Sequence, residues 1–309
     1  VLAFGGNAIA PQGAGTAAEQ TERLWATMRQ VAELVTEGRS ALVLTHGNGP
    51  QVGNVLIKNE LARDVVPPVP LDWCVAQTQA TIGFTIADTL THELDRRGIA
   101  QPVVPVVSRV LVDADDPGFQ APSKPIGPWL EDGDEVARRE GEGLRFLADP
   151  DRGWRRLVPS PQPRRSVDRA AVELLLDDGA IVVANGGGGI PVVDDGEGPL
   201  HGIEAVIDKD LAGALLAEEI DADTFVILTD VPGVAVDFGT PRQRWLETVT
   251  VTELRAHADD GQFGAGSMGP KVAAACAFVE RTGQRAAIGA LEHIVAVVHG
   301  RAGTQVVPA

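Results

Sequence analysis

A chain of 309 residues that is 44% hydrophobic can bury a large α/β core, as one domain or as two lobes. With 43 acidic against 26 basic side chains its net charge is −17, which offers no footprint for nucleic acid or an anionic membrane, so any anionic ligand must be held by local positive features. The two cysteines, Cys74 and Cys276, lie in apolar helix-like stretches and fit reduced packing residues of a cytoplasmic protein rather than a disulfide framework.

Short β-rich apolar runs precede glycine turns and helical patterns again and again, the sequence form of βα units on a parallel sheet. Val1 to Phe4 reads as the first strand and feeds Gly5-Gly6-Asn7-Ala8. A helix is predicted from about Ala17 to Thr36, because Leu24, Met28, Val31 and Val35 recur at helical spacing. Ala41 to Thr45 is the second strand; it runs into the loop His46 to Gly53, after which Val55 to Leu61 reads as helix with Lys58 on its solvated face. A longer helix spans Asp72 to Arg97 and is stopped by Gly98, and Val103 to Val110 is the third strand.

From Leu111 to Arg165 the pattern breaks: 20 of 55 residues are charged, Pro and Gly are frequent, and alternation is poor. A structureless loop of that length is improbable inside a compact domain, so the segment is expected to form an inserted, projecting subdomain or lid. Val167 to Leu176 then reads as helix and Ala180 to Ala184 as strand, leading to Asn185-Gly186-Gly187-Gly188-Gly189-Ile190-Pro191, where four glycines let the backbone approach a ligand. Asp208 to Ile220 is helical with Leu211, Ala214 and Leu215 inward, and Phe225 to Thr229 is a buried strand ending in Asp230-Val231-Pro232-Gly233. Gly266-Ser267-Met268-Gly269-Pro270 opens a helix whose Val272, Ala275, Cys276 and Val279 share a face. Ala286 to Gly289 and Val306-Val307 are the last strands, and the five Trp residues read as packing. No apolar run approaches the roughly 18 residues of a membrane helix, and Val1 to Phe4 is too short for a signal sequence.

Only four basic residues are lysines, and three of them stand among Gly, Pro or Asp: Ser123-Lys124-Pro125, Asp208-Lys209-Asp210 and Gly269-Pro270-Lys271. An ammonium is a compact charge on a flexible stem, suited to following a moving phosphoryl group in a way the planar guanidinium is not. A strand that ends in glycines feeding a helix presents unpaired N–H groups at the helix's positive end. Two such loops, Gly5-Gly6-Asn7 and Gly47-Asn48-Gly49, each add an Asn amide and could hold two anions at the carboxyl ends of their strands.

Asp208 can be a plain helix cap with Lys209 solvated, or Asp208 and Asp210 can fix a phosphate-binding ammonium. Lys271, at a helix start, opposes the macrodipole unless an anion sits there. Asp230 to Gly233 suits either a strand-ending turn or an adenine slot. The fingerprints of commoner nucleotide folds fail: the second loop is G-x-G-x-x-x-G, one residue too long, and Gly264 to Lys271 has Pro where a P-loop needs Lys. The six histidines show no metal-ligand spacing, and His46 reads as a brace for its loop.

Over nearly its whole length the chain resembles the carbamate kinases, within the amino-acid kinase superfamily. The resemblance is carried by Gly5-Gly6-Asn7-Ala8, His46 to Gly53, Pro122-Ser123-Lys124-Pro125-Ile126-Gly127 followed by Val158-Pro159-Ser160-Pro161, Asn185 to Pro191, Asp208-Lys209-Asp210, Leu228-Thr229-Asp230-Val231 and Gly266 to Lys271. It implies an α/β fold, a three-layer αβα sandwich with a mostly parallel central sheet and a small projecting lid at 111–165. It further implies an acceptor lobe at about 1–180, a nucleotide lobe at about 181–309, and a homodimer. The implied reaction is reversible transfer of the γ-phosphoryl group between ATP and carbamate, giving carbamoyl phosphate and ADP, with Mg²⁺.

By the same implication Gly5, Gly6, Asn7, Gly47, Asn48 and Gly49 would cradle the acceptor and the transferring group. Lys124 would reach in from the lid, Lys209 and Lys271 would neutralise phosphates, and Asp210 would position the lysines. Asn185, Gly186, Gly187, Asp208, Thr229, Asp230, Val231, Val234, Met268 and Gly269 would line the nucleotide. Carbamate is already an anionic nucleophile, so the chemistry asks for alignment and charge stabilisation rather than a general base. The departures are the lack of any Tyr and Ser123 where Thr is usual. The alternatives are a kinase of another small carboxylate or phosphonate on this fold, and a noncatalytic nucleotide-binding module.

Overall fold

A computed structural model of the chain describes residues 1–6, 9, 15–38, 41–264 and 268–309. Strand and helix alternate at first: β1 (Leu2–Phe4), α1 (Ala17–Thr36), β2 (Val43–His46), α2 (Gly49–Ala62), α3 (Leu71–Asp95) and β3 (Val103–Pro105). Then come β4 (Arg109–Val112), β5 (Lys124–Leu130), α4 (Gly133–Gly141), β6 (Arg145–Asp149), β7 (Gly153–Val158) and β8 (Pro163–Ser166). The remainder runs α5 (Arg169–Asp177), β9 (Ile181–Val183), β10 (Ile190–Val193), β11 (His201–Gly202), α6 (Lys209–Glu219), β12 (Thr224–Thr229), β13 (Ala235–Val236), β14 (Arg244–Trp245) and β15 (Thr248–Thr250). It closes with α7 (Val251–Asp259), α8 (Met268–Thr282), β16 (Arg285–Ala290), α9 (Ile294–Val298) and β17 (Thr304–Val307).

The central sheet has the order β15-β17-β16-β12-β1-β2-β9-β3 and is parallel except between β16 and β17. Its strands are nearly continuous apolar runs because helices cover both faces. Alternation sorts the side chains: Leu2, Phe4, Leu44, Val226 and Leu228 pack with Met28 and Val31 of α1, Ile86 and Leu90 of α3 and Val297 of α9. Ala3, Phe225, Ile227 and Ile288 point the other way, to Ala217 of α6, Leu254 of α7 and Val272 and Val279 of α8. The layers are therefore helix, sheet, helix, as the resemblance implies. Helix α1 begins where its periodicity predicts, with Thr16 and Glu19 forming a reciprocal capping box. Among the described residues no helix is long and apolar enough to cross a membrane.

Several local expectations need correction. The strand expected over Val103 to Val110 is two: β3 belongs to the central sheet, and β4 turns away to pair with β10 and β8 in a second sheet of order β11-β10-β4-β8. The pairing of β3 with β9 runs as far as Val106, whose N–H donates to the Val183 carbonyl at 2.8 Å, and beyond it the N–H of Ser108 is taken by the Gln79 side chain at 2.8 Å. Helix α2 starts at Gly49 rather than near Val55, because Pro50 presets the first helical turn. In α6 the buried face is Ala212, Gly213, Leu216 and Ala217 with Ala214, while Leu211 and Leu215 are only partly covered. Small residues face inward there because the helix lies close to the sheet: a Cβ on Gly213 would meet the Phe225 ring at 3.2 Å. Trp73 is not a packing residue but 60% exposed on α3.

Within the charged segment, β5, β7 and β6 form their own antiparallel sheet, with α4 against it, while β8 returns to pair with β4. That three-stranded sheet rests on α2 through two glycines. A Cβ on Gly53 would lie 2.0 Å from the Gly127 Cα, and Gly127 itself has φ +71°. Gly53→Ala should therefore push the sheet off the helix at a cost of about 1–3 kcal/mol. A thermal melt is expected to register this as a fall of roughly 2–8 °C in Tm.

Candidate active site

The carboxyl ends of β1, β2 and β12 open into a cleft of about 340 Å³. Its floor is built from two glycine turns tied back to neighbouring strands: Gly5 N–H donates to the Leu228 carbonyl at 3.1 Å, and Gly47 N–H to the Phe4 carbonyl at 3.0 Å. The turns also touch each other and the first lysine. A Cβ on Gly47 would fall 2.9 Å from Gly6 N and 3.3 Å from the Lys209 side chain, so position 47 tolerates nothing larger than glycine. Gly5, Gly6, Gly47, Asn48 and Gly49 all line the cleft. Asn7, Ala8, Gly266 and Ser267, named from the sequence, lie outside the described residues.

Three lysines distant in sequence converge on this floor from three elements: Lys124 from β5, Lys209 from the start of α6 and Lys271 from the first turn of α8. Asp210 joins two of them, one oxygen pairing with Lys209 Nζ and the other with Lys271 Nζ at 2.9 Å. Asp208 does both things the sequence left open. One oxygen caps α6, accepting from Asp210 N–H at 2.9 Å, and the other accepts from Lys124 Nζ at 2.5 Å. The Lys124 partnership, across 84 positions, had no local signal.

Burial governs the titration of this cluster. It works to raise the Asp210 carboxyl, yet Lys209 and Lys271 outweigh it and hold the group well below the usual carboxylate range. Burial pushes the Lys209 ammonium below its ordinary value, opposed by Asp210 and reinforced by Lys271. His46, wholly buried with Nδ1 3.0 Å from the Gly47 carbonyl, is pushed down to about 4 by burial and stays neutral at pH 7. It braces its turn and offers no charge.

The four-glycine run makes a tight turn in which Asn185 (φ 50°), Gly187, Gly188 and Gly189 all adopt positive φ. Of the run, Gly187 lines the cleft, pressed so close to Asn48 that a Cβ would meet its Nδ2 at 2.2 Å. Asn185 lies behind the turn: its side chain donates to Ser166 Oγ at 3.0 Å and its carbonyl accepts from Thr45 Oγ1 at 3.0 Å. Gly186 is also behind, its carbonyl held by Gln79.

A second cavity of about 480 Å³ adjoins the cleft, sharing Thr229, Asp230 and Lys271 with it, and is also lined by Val231 and Met268. Val234 is core rather than lining; fully buried, it donates its N–H to Thr304 Oγ1 at 2.8 Å. Gly269 sits in the first turn of α8, its N–H on the Gly264 carbonyl at 3.0 Å. Phe238 and Trp245, absent from the sequence-based set, form an edge-to-face pair with centroids 6.2 Å apart at this cavity. Only the meeting of distant turns marks them, since each is a lone aromatic in polar sequence. Together the two spaces offer three ammonium groups and two glycine turns for a polyphosphate, next to a chamber lined by Phe238, Trp245 and Phe263 and of a size for a ring.

The sequence model of the amino acid kinase family matches residues 1–290. The carbamate kinase of Thermococcus kodakarensis is 46% identical over 99% of this chain and 98% of its own length. The chain belongs to the carbamate kinases of the amino acid kinase family. Solved structures agree: a protein from Aeropyrum pernix superposes with a TM-score of 0.93 at 45% identity, covering 100% of this chain and 99% of that one. The Giardia lamblia carbamate kinase bound to AMP-PNP does so at 0.90 and 34% identity, covering 100% and 98%. Membership in the family rests on the whole length, and the lysine cleft lies within the part that matches.

Proposed function

We propose that this protein catalyses reversible phosphoryl transfer between ATP and carbamate, giving carbamoyl phosphate and ADP. The observation that carries the reading is the meeting of Lys124, Lys209 and Lys271 on two glycine turns in one cleft. In-line transfer between two anions is limited by bringing them together and by the charge that spreads over the equatorial oxygens. Ammonium groups and backbone N–H donors fixed before the substrates arrive meet both needs. In this reading Gly6, Asn48 and Gly49 hold the acceptor and the transferring group, Gly47 leaves the room for their approach, and Lys209 and Lys271 neutralise the polyphosphate. Lys124 exchanges Asp208 for a phosphoryl oxygen, and the cavity beside Thr229 to Val231 takes the nucleoside, flanked by Phe238 and Trp245.

Magnesium fits as a companion of the nucleotide. Among the described residues no three His, Cys, Asp or Glu groups cluster, and Asp208 and Asp210 are engaged by lysines, so phosphate oxygens would hold the ion and it would screen their charge. We place the enzyme in the cytoplasm and read it as a homodimer, with the single exposed aromatics Trp73 and Phe84 of α3 as candidates for burial against a second copy.

The test is direct. Purified protein with ADP, Mg²⁺ and carbamoyl phosphate should form ATP in a coupled assay. ATP formed from acetyl phosphate but not from carbamoyl phosphate would move the assignment to another small carboxylate. No ATP from any acyl phosphate would leave a nucleotide-binding module.

A further inference from the structure

Thr78 and Gln79, adjacent on α3, lie outside every motif that forms the cleft, yet each holds one of its walls. Gln79 is 4% exposed. Its Oε1 accepts from Ser108 N–H at 2.8 Å, and its Nε2 donates to the Ser108 carbonyl at 3.0 Å and the Gly186 carbonyl at 2.9 Å. A backbone N–H can meet only an acceptor, so the amide cannot be turned round and Nε2 must face Gly186. Thr78 is equally constrained. Its hydroxyl proton goes to the Val75 carbonyl at 2.7 Å, so it meets Asn48 as an acceptor, with Asn48 Nδ2 donating at 2.9 Å. Asn48 and the Gly186–Gly187 turn then lie against each other, too close for a side chain at position 187. One turn of one helix thus fixes which way the Asn48 amide faces and holds the wall that stops it rotating.

We infer that Thr78 and Gln79 are positioning residues for phosphoryl transfer, acting through Asn48 and Gly187. The inference rests on the reading of Asn48 as a contact to the transferring group. A misplaced donor loses stabilisation of the transition state while leaving the distant nucleoside contacts intact, so the effect falls on kcat rather than on the KM for ADP.

The experiment measures ATP formation from ADP and carbamoyl phosphate by the full chain carrying Thr78→Val, which keeps the shape and removes the acceptor, or Thr78→Ser, which keeps the hydroxyl. Thr78→Val is expected to lower kcat by about tenfold or more with the KM for ADP within about twofold, and Thr78→Ser to stay within about threefold of the parent. Gln79→Met, of similar length but without either polar atom, is read in the same way and stands in if Thr78→Val fails to fold. Parental kcat in Thr78→Val and Gln79→Met while Asn48→Ala is impaired would overturn the inference and leave the role of Asn48 standing. Parental kcat in Asn48→Ala would overturn both. Equal losses in Thr78→Val and Thr78→Ser would also overturn it, since the hydroxyl would then not be the operative group.

Discussion

Lys209→Ala is expected to lower kcat for ATP formation by about 10²–10³ while the protein still folds. The ammonium sits at the start of α6, 8% exposed, beside both glycine turns, where water cannot replace it as a counter-charge. Its removal does not strand Asp210, because Lys271 still pairs with the second carboxylate oxygen at 2.9 Å. The stability loss is therefore that of one buried charge-assisted hydrogen bond, about 1.5–3 kcal/mol, which is below the roughly 5–15 kcal/mol that typically holds a native protein folded. A coupled ATP assay and a thermal melt on the same preparation separate the two effects. Lys58→Ala, on the exposed face of α2, is the control and should change neither quantity. If Lys209→Ala keeps parental turnover, the cleft is not where the phosphoryl group moves.

Asp210→Asn should be worse for the fold as well as for the chemistry. The carboxylate is 2% exposed and is shared by two lysines, so neutralising it leaves two cations facing each other with no anion between them. Breaking a buried ion pair in this way costs about 3–5 kcal/mol, a Tm lower by roughly 5–10 °C. The pH dependence has a definite sign. Burial already depresses the Lys209 ammonium and Asp210 is its chief opponent, so without the carboxylate the ammonium gives up its proton at lower pH still. Transfer needs the charged form, so the alkaline limb of kcat/KM moves toward lower pH in the variant. Stability responds at the other end. The depressed Asp210 carboxyl contributes to stability above the ordinary carboxylate range, and that contribution is lost as pH falls through its lowered value. Parent and variant should accordingly converge in stability in strong acid. A pH–rate profile that does not move, with an unchanged Tm, would remove Asp210 from the site.

Much of this arrangement can be read in the sequence because its signals are local. Gly47-Asn48-Gly49 and Asp208-Lys209-Asp210 carry turn chemistry, capping and charge within a few positions, and the structure brings both to one cleft. Periodicity likewise locates α1, whose Leu24, Met28 and Val31 are buried. What escapes the sequence depends on partners far along the chain. Asp208 is recognisable as a cap from its neighbours, but its second role needs Lys124 to arrive on β5. The inward face of α6 follows from how near that helix lies to Phe225, which selects Gly213 and its small neighbours over the leucines that hydrophobicity favours. The break between β3 and β4 is fixed by the Gln79 side chain, 29 positions away from Ser108. Asn185 and Gly186 share their run with Gly187 and are not distinguishable from it until the turn is folded and Gln79 and Ser166 are seen to hold them from behind.

Asp210 belongs to α6 and Lys271 to α8, so the carboxylate that sets the charge of the cleft also sets how far apart two helices begin. Replacing a buried ionic triad with well-fitted apolar side chains often makes a protein sturdier. On the proposed reading such a replacement would tighten the joint and remove the ammonium groups that turnover needs, so robustness and turnover pull in opposite directions where α6 meets α8.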